Sequence, residues 1–289
     1  MATDKIAMNE IVERANNAFK PIYKPLFAIF KKLAGYDEYN GTMTFLETDT
    51  KGNLSARLIN SQDTEGKHIA VGEDKKVYNK YFKGVNYIVS GYQKNDDIDN
   101  ITAKVLEVFT RQLDEEIFRG DPNADGSLNN NGIFGTNDKN AVKKADITLA
   151  NSSIDTILAF FASLLKEAEE LAGNAEKTIL IGGALKDLLS KVVPNTAVLY
   201  KTLIKESFTM PVNLVALPSN LEAFLPSGKS IAQVLTLDAI TLRHSAMPRL
   251  KAQGFNEEKE HTWYKFFYGS AMVDVEQRGA SIIQPVIIA

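Results

Sequence analysis

Three oxygen-bearing side chains are spaced in this sequence as they are in a calcium-binding loop. Asp121, Asn123 and Asp125 alternate along the chain and Gly126 follows them, inside the segment IFRGDPNADGSLNNNGIFGTND that runs from 117 to 138. An EF-hand loop takes ligands from alternating positions at its start and has glycine at the sixth position. This spacing makes Asp121, Asn123 and Asp125 the candidate metal ligands.

The end of the same loop argues against tight calcium binding. Gly132 stands where an EF-hand has a bidentate glutamate, and Pro122 is unusual within such a loop. Asp, Asn, Gly and Ser also favour turns for reasons of backbone geometry. We therefore expect a loop that connects two elements, in which a weakly bound calcium ion is an optional stabiliser. No other cofactor is predicted.

No catalytic motif accompanies the loop: G-x-S-x-G, H-E-x-x-H and the phosphate-binding loop are all missing from the sequence. Gly182 and Gly183 follow the strand-like TILI, which favours a tight turn over a phosphate site. Asp114, Glu115 and Glu116 end a predicted helix and could supply acid–base chemistry. A solvated helix face or an ion pair between subunits is the more common role of such a run. We predict that the chain is not an enzyme.

Composition and charge set broad limits. The chain has 289 residues, 44% hydrophobic residues, 24% charged residues, a net charge of −3 and no cysteine. This length supports one large domain or two modest ones, and disulfides and thiolate metal sites are excluded. The net charge gives no general reason to bind nucleic acid. His68, His244 and His261 lie far apart in sequence, which disfavours a histidine-rich metal site.

The N-terminal region is polar and locally basic. It lacks the apolar core of a secretory signal, and its longest apolar patch, PLFAIF, is far shorter than the roughly 20 residues that span a bilayer. Lys20, Lys24, Lys31 and Lys32 either contact a polyanion or form a solvated helix face; the second interpretation is favoured.

Apolar periodicity predicts the helices. Residues 4 to 34 favour two helices interrupted by Pro21 and Pro25, the second ending at Gly35. Residues 96 to 118 favour one long helix. Another helix is expected to begin at Ser152 or Ser153 and to end at Gly173, and the buried strand KTILI then leads into a further helix.

Alternating patterns predict strands at both ends of the chain, so the fold class is α+β. The segment GTMTFLETDTKGNLSARLIN favours a β-hairpin with its turn at Lys-Gly-Asn. This hairpin has few apolar residues with which to form a core, so it should project and pack on something else. Further strands are expected in KKVYNKYFKGVNYIVSGYQ, VNLVALP, AITLRH, TWYKFFYGSAMVDVEQ and ASIIQPVIIA.

The order of these elements and a set of short motifs resemble a known family. An acidic helix end, Asp-Glu-x-Ile-Phe-x-Gly at 114 to 120, is followed by Gly-Ile-Phe-Gly at 132 to 135 and then by TILIGGALKDLL. In this order, over roughly residues 1 to 190, the chain resembles tailed-bacteriophage major capsid proteins and is similar to encapsulin shells, which share that fold. It departs from the family in a longer loop before Gly132 and in Thr136, where leucine is common.

The resemblance implies a Hong Kong 97-type fold with five regions. These are an N-terminal arm (1–35), an extended β-hairpin loop with adjoining strands (36–95), a peripheral domain with the long helix (96–176), an axial domain (177–240) and returning C-terminal strands (241–289).

The resemblance also implies a function. It predicts a homo-oligomer of pentamers and hexamers that encloses double-stranded DNA on its inner face, in a virion assembled in the host cytoplasm. Scaffolding, portal or decoration proteins are candidate partners, a membrane is not, and a fused scaffold segment is not expected. Two alternatives stay open: an encapsulin-type compartment around an enzyme cargo, and a calcium-binding or hydrolytic monomer that uses the 121–132 loop. The basic arm favours DNA slightly.

Overall fold

The computed structural model describes residues 23–35, 41–50, 71–80, 82–90, 95–119, 132–134, 140–149, 153–192, 208, 210–223, 225, 229–244, 247–256, 261–269 and 271–288. Within these ranges the helices are α1 (Asn95–Arg119), α2 (Ile154–Ala172), α3 (Gly183–Val192) and α4 (Ser219–Glu222). None of these helices is both long enough and apolar enough to cross a membrane.

The strands alternate with the helices along the chain. They are β1 (Lys32–Gly35), β2 (Gly41–Thr50), β3 (Val71–Lys80), β4 (Phe82–Ser90), β5 (Ala141–Lys143), β6 (Ile147–Leu149), β7 (Lys177–Ile181), β8 (Val212–Ala216), β9 (Lys229–Leu235), β10 (Ile240–His244), β11 (Arg249–Asn256), β12 (His261–Gly269), β13 (Ala271–Val275) and β14 (Ser281–Ile288). The strands predicted in the last third of the chain are confirmed.

The predicted long helix and its successor are also confirmed. α1 has 25 residues and is therefore roughly 37 Å long; Leu106, Phe109, Leu113 and Ile117 are buried along one side, as their spacing of three and four requires. α2 is capped by Ser153, whose Oγ accepts a hydrogen bond from the Thr156 backbone N–H at 3.3 Å. It ends at Gly173, which has φ +74°.

The largest sheet separates two hydrophobic cores. Its strands lie in the order β5, β14, β9, β7, β8, and β6 also pairs with β14. Every residue of β7 is buried because both faces of the sheet are covered. Ile179 and Ile181 pack on the side of α2 and α3, whereas Leu180 belongs to the core that contains α1.

Two smaller sheets and a ribbon complete the fold. One sheet has the order β1, β10, β13, another has the order β11, β12, β4, and β2 pairs with β3 in a two-stranded ribbon. The hairpin prediction was wrong in its pairing, because β2 pairs with β3, with Thr50 opposite Val71. Residues 54–60, the predicted second strand, lie outside the described residues. The predicted Lys-Gly-Asn turn lies outside the described residues.

The second N-terminal helix was also predicted wrongly. Residues 26–34 form a short 3-10 helix (Leu26–Ile29) followed by β1, and β1 pairs in parallel with β10. Pro25 precedes the 3-10 helix in extended conformation, and hydrogen bonds to β10 replace those of a continued helix. Residues 23–35 are called the anchor segment below. The first predicted helix lies before them, outside the described residues.

Candidate functional site

The acidic run at the end of α1 lies inside the protein. The Asp114 side chain is 0% exposed and that of Glu116 is 5% exposed, whereas Glu115 is half-buried. The prediction of a solvated face or an intersubunit ion pair is therefore wrong for Asp114 and Glu116. Successive residues of a helix point about 100° apart, so each of the three carboxylates contacts a different element.

Asp114 holds the anchor segment. Its Oδ2 accepts hydrogen bonds from the Tyr23 hydroxyl at 2.5 Å and from the Leu26 backbone N–H at 2.8 Å, and its Oδ1 accepts one from the Phe27 N–H at 2.7 Å. Burial raises the pKa of Asp114 above its usual range, although these three hydrogen bonds oppose the shift. The pKa of the Tyr23 hydroxyl is also raised, mainly by burial and secondly by its hydrogen bond to Asp114.

Glu115 and Glu116 hold two other elements. The Asn220 side chain, in α4, donates to Glu115 Oε1 at 3.3 Å. The Tyr268 hydroxyl, in β12, donates to Glu116 Oε1 at 2.7 Å. The three carboxylates thus join α1 to the anchor segment, to α4 and to β12. The three carboxylates accept hydrogen bonds from other elements of the fold. This arrangement indicates that they stabilise tertiary contacts of α1, and it does not indicate an acid–base pair.

Apolar contacts and ion pairs fix the rest of the anchor segment. Leu26 and Phe30 are buried, and the Phe30 ring stacks on Phe118 of α1 with centroids 6.0 Å apart. Beyond them, Lys31 Nζ lies 2.8 Å from Glu176 Oε2, and Lys32 Nζ lies 2.8 Å from Glu276 Oε2.

These ion pairs bear on the predicted basic arm. Lys31 and Lys32 are exposed, as expected, but they lie outside any helix and pair with carboxylates of the same chain. Lys24 is exposed, and Lys20 lies outside the described residues. Burial favours a higher pKa for Glu276, but hydrogen bonds from Lys32 and Thr241 outweigh it, and the pKa of Glu276 is lowered.

The predicted metal ligands Asp121, Asn123 and Asp125 lie outside the described residues, and calcium binding stays a prediction. The segment that follows them is described. Ile133 N–H donates to Ile117 O and Phe134 N–H donates to Phe118 O, each at 2.9 Å, so residues 132–134 return to the end of α1. Among the described residues, no group of three or more acidic or histidine side chains could hold a metal ion.

The Gly182-Gly183 pair forms the predicted tight turn between β7 and α3. Gly182 N–H donates to Ile231 O at 2.9 Å, and Ser230 Oγ accepts the Leu185 N–H at 3.2 Å. A Cβ on Gly182 would lie 2.6 Å from Ser230 Oγ, and a Cβ on Gly183 would meet the Glu222 carboxylate. A carboxylate beside the turn disfavours a phosphate there.

Lys177 and Asp274 are buried charged residues that the sequence analysis did not single out. The Lys177 side chain, at the start of β7, is 0% exposed, and its Nζ donates to Gly173 O at 2.7 Å and to Thr236 Oγ1 at 2.9 Å. Burial lowers the pKa of this ammonium group. The available signal was the position of Lys177, two residues before the apolar run at 179–181, because a polar residue in a strand is buried when both faces of the strand are covered.

Comparison with known proteins identifies the fold. No family model matches the sequence, and no curated protein matches it. The structure is similar to the capsid of Myoviridae phage XM1, with a TM-score of 0.60 and 14% identity over 93% of this chain and 94% of that chain. It is also similar to a virus-like particle from Pyrococcus furiosus, with a TM-score of 0.58 and 12% identity over 96% and 97% of the two chains.

A third similar structure is the capsid of a native GTA particle, with a TM-score of 0.59 and 11% identity over 93% of each chain. The three similarities extend over nearly the full length of both partners, so the match is to the whole architecture and not to one motif. This chain has the Hong Kong 97-type capsid fold that its sequence resemblance predicted.

Proposed function

We propose that this chain is a major capsid protein, a structural and non-enzymatic subunit that self-assembles into an icosahedral shell. The observation that carries the proposal is the similarity to two capsids and a virus-like particle over more than nine-tenths of each chain. Closed shells form when one subunit repeats the same contacts around symmetry axes, and pentamers and hexamers of this chain are the expected units.

The ribbon of β2 and β3 supports the proposal on physical grounds. Within the described residues these two strands pair with each other and form no sheet with other strands. A two-stranded ribbon alone is at best marginally stable in water. Contact with neighbouring copies would cover it, and binding to the folded form stabilises that form.

We further propose double-stranded DNA as the content of the shell, in a virion assembled in the host cytoplasm, with scaffolding, portal or decoration proteins as candidate partners. The alternative content is a protein cargo. This alternative stays open because the structure is also similar to a virus-like particle.

Expression of the full chain followed by negative-stain microscopy tests the shell. Closed particles of uniform diameter are expected, and a monodisperse monomer at high concentration would contradict the proposal. Nuclease-treated particles from phage-infected cells should keep an absorbance ratio typical of packaged nucleic acid. Particles that contain a second protein and no DNA would support the compartment instead.

A further inference from the structure

The anchor segment is held to α1 by one buried carboxylate, because Tyr23, Leu26 and Phe27 all donate to Asp114. We propose that Asp114 is a positioning residue for assembly, which fixes the direction of the anchor segment before neighbouring copies meet. This inference rests on the proposed function, because it assigns a role in forming the shell.

The contacts of Asp114 constrain the backbone and not only a side chain. Two of its three donors are main-chain amides, those of Leu26 and Phe27, and each uses a different oxygen of the carboxylate. Pro25 stands immediately before them with φ −67° and ψ 139°, and its ring restricts φ. The two carboxylate oxygens and the proline ring therefore restrict the backbone conformation of residues 25–27.

The Tyr23 side chain is held from three directions. Its hydroxyl donates to Asp114 Oδ2 and accepts from the Asn220 side chain at 3.4 Å. The Arg111 guanidinium lies over its ring, 4.9 Å from the centroid, a distance typical of a cation–π contact. Arg111 and Asp114 belong to α1, so the long helix sets the position of Tyr23 from two sides.

Stability alone gives little reason for a carboxylate at this position. An ionised group loses hydration when it is buried, and apolar residues of similar volume often replace buried charges without loss of stability. Leu26 and Phe30 already bury apolar surface at the same place. What the carboxylate adds is directional: only a group with two acceptor oxygens can receive all three donors at once.

A fixed direction matters for a shell. Each copy in a symmetric assembly must present the same contacts, and segments that are ordered before binding lose less conformational entropy when they bind. The anchor segment ends in β1, and the ribbon of β2 and β3 follows it along the chain. The contacts of Asp114 therefore lie in the segment that precedes the ribbon.

The test compares Asp114→Asn with the matched control Asp187→Asn, which makes the same change at an exposed aspartate of α3. Hydrogen exchange of the Leu26 and Phe27 amides is measured in the full chain as purified, and particle yield and diameter are measured by microscopy. An asparagine offers one acceptor oxygen, so at least one amide loses its partner. We expect exchange at Leu26 or Phe27 to become about ten-fold faster, the scale of a lost hydrogen bond to a charged group. We also expect fewer or less uniform particles from Asp114→Asn, while exchange at Leu26 and Phe27 in Asp187→Asn stays as in the wild type.

Unchanged exchange in Asp114→Asn would overturn the inference, and so would faster exchange with unchanged particle yield and diameter. If Asp114→Asn does not fold, Tyr23→Phe decides the matter, since it removes one donor and leaves both amide bonds: particles as uniform as those of the wild type would overturn the inference. A wild-type chain that forms no particles would overturn the proposed function instead. The exchange rates would then still show whether Asp114 holds the anchor segment.

Discussion

Tyr268 and Glu116 are joined by a buried hydrogen bond of 2.7 Å between residues 152 positions apart. The Tyr268 ring also contacts Phe109 edge-on, with centroids 5.1 Å apart. One tyrosine of β12 therefore contacts α1 through both its hydroxyl and its ring, and it sets how the long helix lies against the sheet of β11, β12 and β4.

Replacement of this tyrosine by phenylalanine should destabilise the subunit. Tyr268→Phe keeps the ring contact with Phe109 but leaves Glu116 Oε1 without this donor, and the loss of a partner for a buried polar group costs about 1–3 kcal/mol. Chemical denaturation followed by tryptophan fluorescence measures the change. Glu116→Gln keeps an acceptor oxygen and serves as the control with a smaller loss. Equal stability of Tyr268→Phe and the wild type would contradict the prediction.

The turn between β7 and α3 should tolerate a methyl group at one glycine and not at the other. A Cβ on Gly182 meets Ser230 Oγ, which also caps α3, and lies 3.2 Å from the Ile231 backbone nitrogen. Gly182→Ala should therefore cost about 1–3 kcal/mol, as overpacking in a core does. Gly183→Ala meets the end of the flexible Glu222 side chain and should cost less. Thermal unfolding of both variants checks the order; the reverse order would count against this description of the turn.

The two ends of the anchor segment should respond to acid in opposite ways. The pKa of Glu276 is lowered in the fold, so its contribution to stability is present above the unfolded value of about 4.3 and is lost as pH falls through the folded value. The pKa of Asp114 is raised, so its contribution is present below about 3.9 and is lost as pH rises through the folded value.

Unfolding free energies measured between pH 7 and pH 3.5 test this difference. The advantage of the wild type over Glu276→Gln should shrink as the pH falls. The unfolding free energy of the wild type minus that of Asp114→Asn should increase as the pH falls over the same range. Two curves that run in parallel would show that one of the two pKa directions is wrong.

Shortening of the ribbon should separate folding from assembly. Thr50 lies opposite Val71, so an Asn-Gly turn in place of residues 51–70 continues the register of β2 and β3. The subunit should keep its cooperative unfolding transition, because the core residues that the structure describes belong to other elements, but particle yield should fall. A replacement of residues 51–70 by a polar linker of equal length is the control for loss of specific contacts. Normal yield from the shortened chain would show that this region is not needed for the shell.

Local patterns predicted the elements whose formation depends on neighbours in sequence. The apolar spacing of Phe109, Leu113 and Ile117 predicted α1, and the Ser153 cap and Gly173 bounded α2. The buried apolar run of β7 at residues 179–181 was equally clear, because a strand covered on both faces is largely apolar.

The elements that were mispredicted depend on distant partners. Residues 26–34 have the apolar content of a helix. However, the amides of Leu26 and Phe27 donate hydrogen bonds to Asp114, and the residues that follow pair with β10 as a strand. The burial of Asp114 could not be inferred for the same reason, since its three donors lie 87 to 91 residues away. By composition alone, an acidic run at a helix end is the same as a solvent-facing helix surface.

The position of β14 sets the order in which the subunit can be completed during synthesis. Ser281–Ile288 lies between β9 on one side and β5 and β6 on the other, so the largest sheet stays divided into two halves until these residues leave the ribosome. The apolar residues Ile282 and Val286 complete one core and Ile283 the other. Both cores therefore stay incomplete until Ser281–Ile288 is available, and the unpaired edges of β5, β6 and β9 are exposed for that time.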